Sequence, residues 1–291
     1  MRMKKIGIIV GASALVASAV TLTSCGSDSY AIELKSYKTE STEDVIEKAY
    51  DSFIAEKKTS SYDLTVYENN ESNIKQDKNE SKISSSIARV ETYNAITSVL
   101  YTLDERNVQA ESAYEKTNQA MRVEKIYQND NGLNTIINLT DKTYTSLAYN
   151  ASAAKTRTST FKAENYIDLD DLVEDDIVST KYYNDDNVYT MVLTYDESKD
   201  KNKEWTDDDV KYAKSDVSYE FVFQFYSIDS EYFIGYKSTN KYTITATKGS
   251  QTSKTTYDKK TSKYARLFNV TQSIEKFDLN NYKKDYRNLV E

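Results

Sequence analysis

Residues 217–227 alternate with a period of two. Val217, Tyr219, Phe221, Phe223 and Phe225 fall on one side, while Ser218, Glu220 and Gln224 fall on the other. Such a pattern fits a strand with one buried face and one wetter face. Weaker alternation recurs along the chain and predicts further strands at 62–67, 83–93, 99–103, 121–127, 133–139, 144–149, 178–183, 188–195, 232–236, 242–246 and 264–277. Turn residues separate them: a polar hairpin tip at 69–79, Asn129-Asp130-Asn131-Gly132, a small polar loop at 150–160, and Asn184-Asp185-Asp186-Asn187.

Helical spacing is rarer. Val45, Ile46, Ala49, Tyr50, Phe53 and Ile54 form one apolar stripe behind Thr42, a predicted N-cap with acids in the first turn. A second helix is expected at 168–176. A third is expected from Thr206 to about Lys214, with Asp207, Asp208 and Asp209 in its first turn, where the helix dipole favours negative charge. Trp205 would then precede the N-cap as a buried staple.

Strands of this kind must cover their apolar face with helices or with a second sheet. The expected class is α+β, mainly β: a large curved antiparallel sheet with a few covering helices, a β-sandwich being the alternative. The element order, an early helix followed by a long meander, resembles the half-barrel of lipoprotein carriers of the LolA and LppX type. That resemblance implies helices on the concave side and an apolar ligand between them and the sheet. One domain is expected over 41–291. Its halves, 41–160 and 161–291, weakly resemble each other, for example in Leu64-Thr65-Val66-Tyr67 and Leu193-Thr194-Tyr195. Duplication and a shared richness in tyrosine both account for this.

The N-terminus carries a different signal. Arg2, Lys4 and Lys5 precede an uncharged run over 6–24, which ends in Leu22-Thr23-Ser24-Cys25. This resembles the lipobox of bacterial lipoproteins, which implies a signal peptide over 1–24, a diacylglycerol on Cys25 and a lipidated tether over 25–40. A single spanning helix is the alternative, since nineteen uncharged residues approach the length of a bilayer crossing. Removing the signal leaves 267 of the 291 residues and shifts the net charge from −8 to −11. Two acyl chains suffice for stable anchoring, and the membrane through Cys25 is the expected partner on the outer face of the cytoplasmic membrane.

Composition narrows the chemistry. Cys25 is the only cysteine and there is no histidine. A mature domain without either has no disulfide, thiol nucleophile or histidine-based triad or metal site. Acidity argues against a nucleic-acid partner. Asp168, Asp170, Asp171, Glu174, Asp175 and Asp176 form the densest acidic cluster. Calcium favours such oxygen ligands, but Leu169, Leu172 and Val173 interrupt the cluster at helical spacing, as in a solvated helix with one buried edge. The expectation is therefore no catalytic, metal or cofactor residue, and lipidation at Cys25 alone. The 26 tyrosines suit a pocket, an adhesive surface or simply strands. The leading expectation is a non-enzymatic carrier of an apolar or amphipathic ligand. The others are an envelope structural or adhesion lipoprotein with a filled core, and a carboxylate-based glycoside hydrolase. Proline is absent altogether, against about fifteen at average usage.

Overall fold

The computed structural model describes residues 33–55, 57–59, 61–94, 99–130, 133–148, 159–161, 165–167, 178–200, 203–269 and 279–284. The lipobox, the helix expected at 168–176, most of the loop expected at 150–160 and the strand end expected at 270–277 lie outside them.

The fold is mainly β. One α-helix, α1 (Glu43–Phe53), is followed by β1 (Lys57–Thr59), β2 (Tyr62–Gln76), β3 (Asn79–Asn94), β4 (Val99–Glu111), β5 (Lys116–Asp130), β6 (Leu133–Asn138), β7 (Thr143–Ala148) and β8 (Ser159–Phe161). Then come β9 (Val178–Asp185), β10 (Val188–Tyr195), β11 (Glu204–Asp207), β12 (Val210–Ile228), β13 (Glu231–Lys248), β14 (Gln251–Asn269) and β15 (Lys283–Lys284). Thirteen strands form one open sheet in the order β15-β7-β6-β5-β4-β3-β2-β14-β13-β12-β10-β9, with β11 beside the outer part of β12. The other described sheet is only the β1–β8 pair, not the second large layer of a sandwich. The chain enters the sheet at its middle and winds out to β7. It re-enters at the far edge with β9 and winds back until β14 pairs with β2.

Side chains alternate between two faces. On the helix face, α1 buries Ile46, Tyr50 and Phe53. The Tyr50 ring meets Phe225 edge-on at 5.3 Å and Phe53 lies 5.2 Å from the same ring. Burial of side chains of this size stabilises by roughly 1.5–3 kcal/mol each. Thr42 sits at the N-cap as expected, but its side chain makes no capping bond. On the opposite face, Tyr226, Phe233, Tyr264 and Tyr67 form a stacked series across β12, β13, β14 and β2, with centroid spacings of 4.9, 5.9 and 5.4 Å. Leu34 packs on this series. Phe221 to Tyr226 are therefore buried on both sides, not on the odd side alone.

The strands are longer than their apolar patterns. β13 runs unbroken through both short strands expected at 232–236 and 242–246, and pairs with β14 as far as Lys248 and Gln251. The tip expected at 69–79 shrinks to Asp77–Lys78, because β2 and β3 stay paired to Gln76 and Asn79. These outer halves are polar on both faces, and most of their side chains are exposed or half-buried. Backbone ladders and cross-strand pairs carry them, not a core.

The helix expected from Thr206 is instead a hairpin. β11 pairs with β12 from Glu204–Ala213 to Asp207–Val210. Asp208 and Asp209 make the turn at φ 43° and 62°, as a two-residue primed turn requires. Trp205 is 42% exposed, not a buried staple.

Candidate functional site

Leu22, Thr23, Ser24 and Cys25 precede the first described residue, and the acidic cluster at 168–176 is also undescribed. The structure does place the last part of the expected tether, from residue 33 onward, and there it is bonded to the sheet and does not hang free. Lys35 donates its backbone N–H to Gln224 Oε1 at 2.8 Å, and Gln224 Nε2 donates back to the Lys35 carbonyl at 2.9 Å and to Thr190 Oγ1 at 3.0 Å. Lys35 Nζ sits 3.9 Å from the centroid of the Tyr226 ring. Further on, Asp185 accepts from the Lys38 N–H at 2.6 Å and the Thr39 hydroxyl at 2.6 Å, and these bonds hold its carboxyl below the usual range. Ser41 N–H then donates to the Tyr182 carbonyl at 2.8 Å. Residues 33–41 thus form a strap from one face, round the β9 edge, to α1 on the other.

A pocket lies on this strap face, where the strands outrun the core. There β14, β2, β3, β4 and β5 form a groove of about 430 Å³. Two registered rows line it. Asp258, Asn73, Lys82, Glu111 and Lys116 stand side by side, and Lys260, Glu71, Ser84, Gln109 and Asn118 make the next row. Alternation turns the neighbouring Ile83 and Ala110 side chains to the other face.

Three lysines and three carboxylates balance within the groove. Lys116 pairs with Glu111 at 3.3 Å, and Lys82 pairs with Glu80 at 3.4 Å. Asn73 Nδ2 also donates to Glu80 at 2.9 Å. That bond and Lys82 together hold the Glu80 carboxyl below the usual range. Asn73 Oδ1 is buried and accepts no hydrogen bond, as is Asn107 Oδ1 in the row behind. The surface offers donors and acceptors in quantity and its charges balance, which suits a polar ligand without a large net charge. Glu71 and Asp258 are diagonal neighbours in the ladder, about 7–8 Å apart at Cα. No aromatic side chain lines the groove beside them.

Sequence reasoning missed the groove. Its residues come from five strands and share no motif. The one available signal was the lack of any apolar face in 71–84 and 251–263.

No family model matches the chain, and no curated protein matches it. Solved structures give only distant likenesses. Pseudomonas aeruginosa OccK5 (OpdH) is 8% identical, with 64% of this chain covering 56% of that one at a TM-score of 0.17. A mutant of Rh. blastica porin is 11% identical, with 71% covering 99% at a TM-score of 0.14. At such scores neither likeness bears on fold or function.

Proposed function

We propose that the chain is a lipid-anchored, non-enzymatic lipoprotein on the outer face of a bacterial cytoplasmic membrane, which presents the polar half of its sheet to a polar ligand or partner. The observation that carries this reading is the charge-balanced groove, built where the sheet extends beyond its core. The lipobox-like Leu22-Thr23-Ser24-Cys25 and the acidic body support the anchor, since long-range charge would repel the domain from an anionic surface. The half-barrel likeness belongs to this reading too, with the open sheet curving around its ligand.

Two experiments test it. Cys25→Ser should move the protein from membranes to the soluble fraction; full retention on the membrane would overturn the anchor. A photo-crosslinking residue at Ser84, in the groove, should give adducts in intact cells, whereas one at Ile83, on the opposite face of the same strand, should not. Equal labelling would overturn the groove as the contact site. Native mass spectrometry distinguishes the apolar-carrier reading: co-purified lipid would favour a ligand between α1 and the sheet, where Tyr50 and Phe53 pack.

A further inference from the structure

The β11 edge is a second and separate surface, independent of both the groove and the anchor. Lys214 donates its backbone N–H to the Lys203 carbonyl at 2.7 Å. With the register Trp205–Tyr212 and Asp207–Val210, that bond fixes the phase of the ladder. Lys203, Trp205 and Asp207 turn their backbone groups toward β12, and Glu204 and Thr206 turn theirs outward. Among the described residues no strand pairs with that outer side, and all four residues of β11 are exposed.

Trp205 stands on this edge with its ring stacked on Tyr212, at 5.1 Å and 10° between planes. Asp207 shares its face two residues along. Glu204, on the other face, and Asp208 and Asp209 at the turn add three more carboxylates, and none of the four has an ion pair among the described contacts. Nearby Lys203 is already neutralised by Glu197 at 2.6 Å, and Lys211, across the ladder from Thr206, sits on the Glu204 face and leaves the Trp205–Asp207 face the more acidic one. These charges oppose pairing with a second copy of this acidic chain, which would bring like charges together. They leave the edge complementary to a positive strand.

We propose that β11 receives an extended basic polypeptide segment by strand addition, its backbone pairing with Glu204 and Thr206. A Lys or Arg on the Trp205 side would lie over the indole and beside Asp207, combining cation–π attraction with charge pairing. Alternate residues would meet Glu204 on the other face.

Trp205 is the only tryptophan in the chain, so its fluorescence reports on this edge directly. The probe is a short peptide alternating lysine and threonine, titrated into the full mature chain at low salt. A saturable change in Trp205 emission is expected. Methylating alternate backbone nitrogens of the peptide keeps its charge but removes strand pairing, and should weaken binding about tenfold or more. Thr206→Pro should do the same, since its N–H points outward and an edge strand tolerates proline there. Unchanged circular dichroism would show that the variant folds. Equal affinity for the methylated peptide, or no saturable change at all, would overturn the proposal.

Discussion

Gln224 is fully buried and grips both backbone groups of Lys35. Replacing it with alanine removes the two part-buried bonds to Lys35 and the buried bond to Thr190, a loss of about 1–3 kcal/mol. Gln224→Ala should therefore unfold at lower urea. It should also be cleaved faster near residues 33–38 by a protease added to the folded protein. The tyrosines predict behaviour at alkaline pH. Burial and the nearby Glu91 carboxylate push Tyr166 up to about 12, and burial with a hydrogen bond to Asp200 pushes Tyr195 up to about 12. Burial and Glu231 raise Tyr226 as well. Folding favours the neutral phenols, so their contribution is intact below pH 10 and is lost as pH rises from 10 to 12. An ultraviolet titration should show these phenols ionising late, together with loss of structure. Early ionisation of all tyrosines near pH 10 would contradict this packing. At the same scale, the turns explain part of the odd composition. With no proline and six glycines, left-handed turn positions fall on Asp77, Asp186, Asn187, Asp208, Asp209, Asp229 and Ser230, and Asp and Asn tolerate that conformation best after glycine.

At the level of elements, β10 was legible to the residue, because a β-branched and apolar run buried on both faces is bounded by turn residues, and α1 nearly so, because it has one clean apolar stripe. The outer halves of β12 and β14, and the middle of β13 at 237–241, were not legible. Sequence periodicity registers a strand only when one face is buried, and in 237–263 both faces meet water apart from a few residues such as Tyr242 and Thr243. The 206–214 segment failed for another reason. Thr followed by three Asp is a strong N-cap signal, and the same residues also make a primed hairpin turn; Trp205 and Thr206 before it, with Val210 and Tyr212 after it, were the strand formers that decided the matter. The core and the outer sheet should also separate energetically. Replacing 245–254 with a two-residue turn removes paired residues that touch no core cluster, so the melting temperature should shift by only a few degrees. Phe53→Ala, in contrast, removes a buried ring from the α1 contact and should cost about 3–5 kcal/mol in denaturant unfolding.

Across the whole molecule, the sheet is one meander cut in the middle. Its central seam joins Leu64 to Leu267 and Gln76 to Thr255, contacts between residues far apart in sequence. Such pairing carries a large loop-closure entropy and slows folding. Refolding from urea should take milliseconds to seconds, as in all-β domains. The meander within each half was legible from its turns, but the β14–β2 seam was not, since it joins strands that no local pattern relates. The groove was hidden for the same reason: its rows exist only once five strands are in register.

The seam also fixes an order of events during synthesis. As the chain emerges from its N-terminus β2 appears early, and β3 can close on it at once, but the other edge of β2 must wait until β14 has emerged as well. Throughout that interval the nascent chain shows a long unsatisfied strand edge to its surroundings. The run Glu68-Asn69-Asn70-Glu71-Ser72-Asn73 on that edge is polar and acidic, and a polar edge is the kind least prone to mispair with a neighbouring chain during the wait.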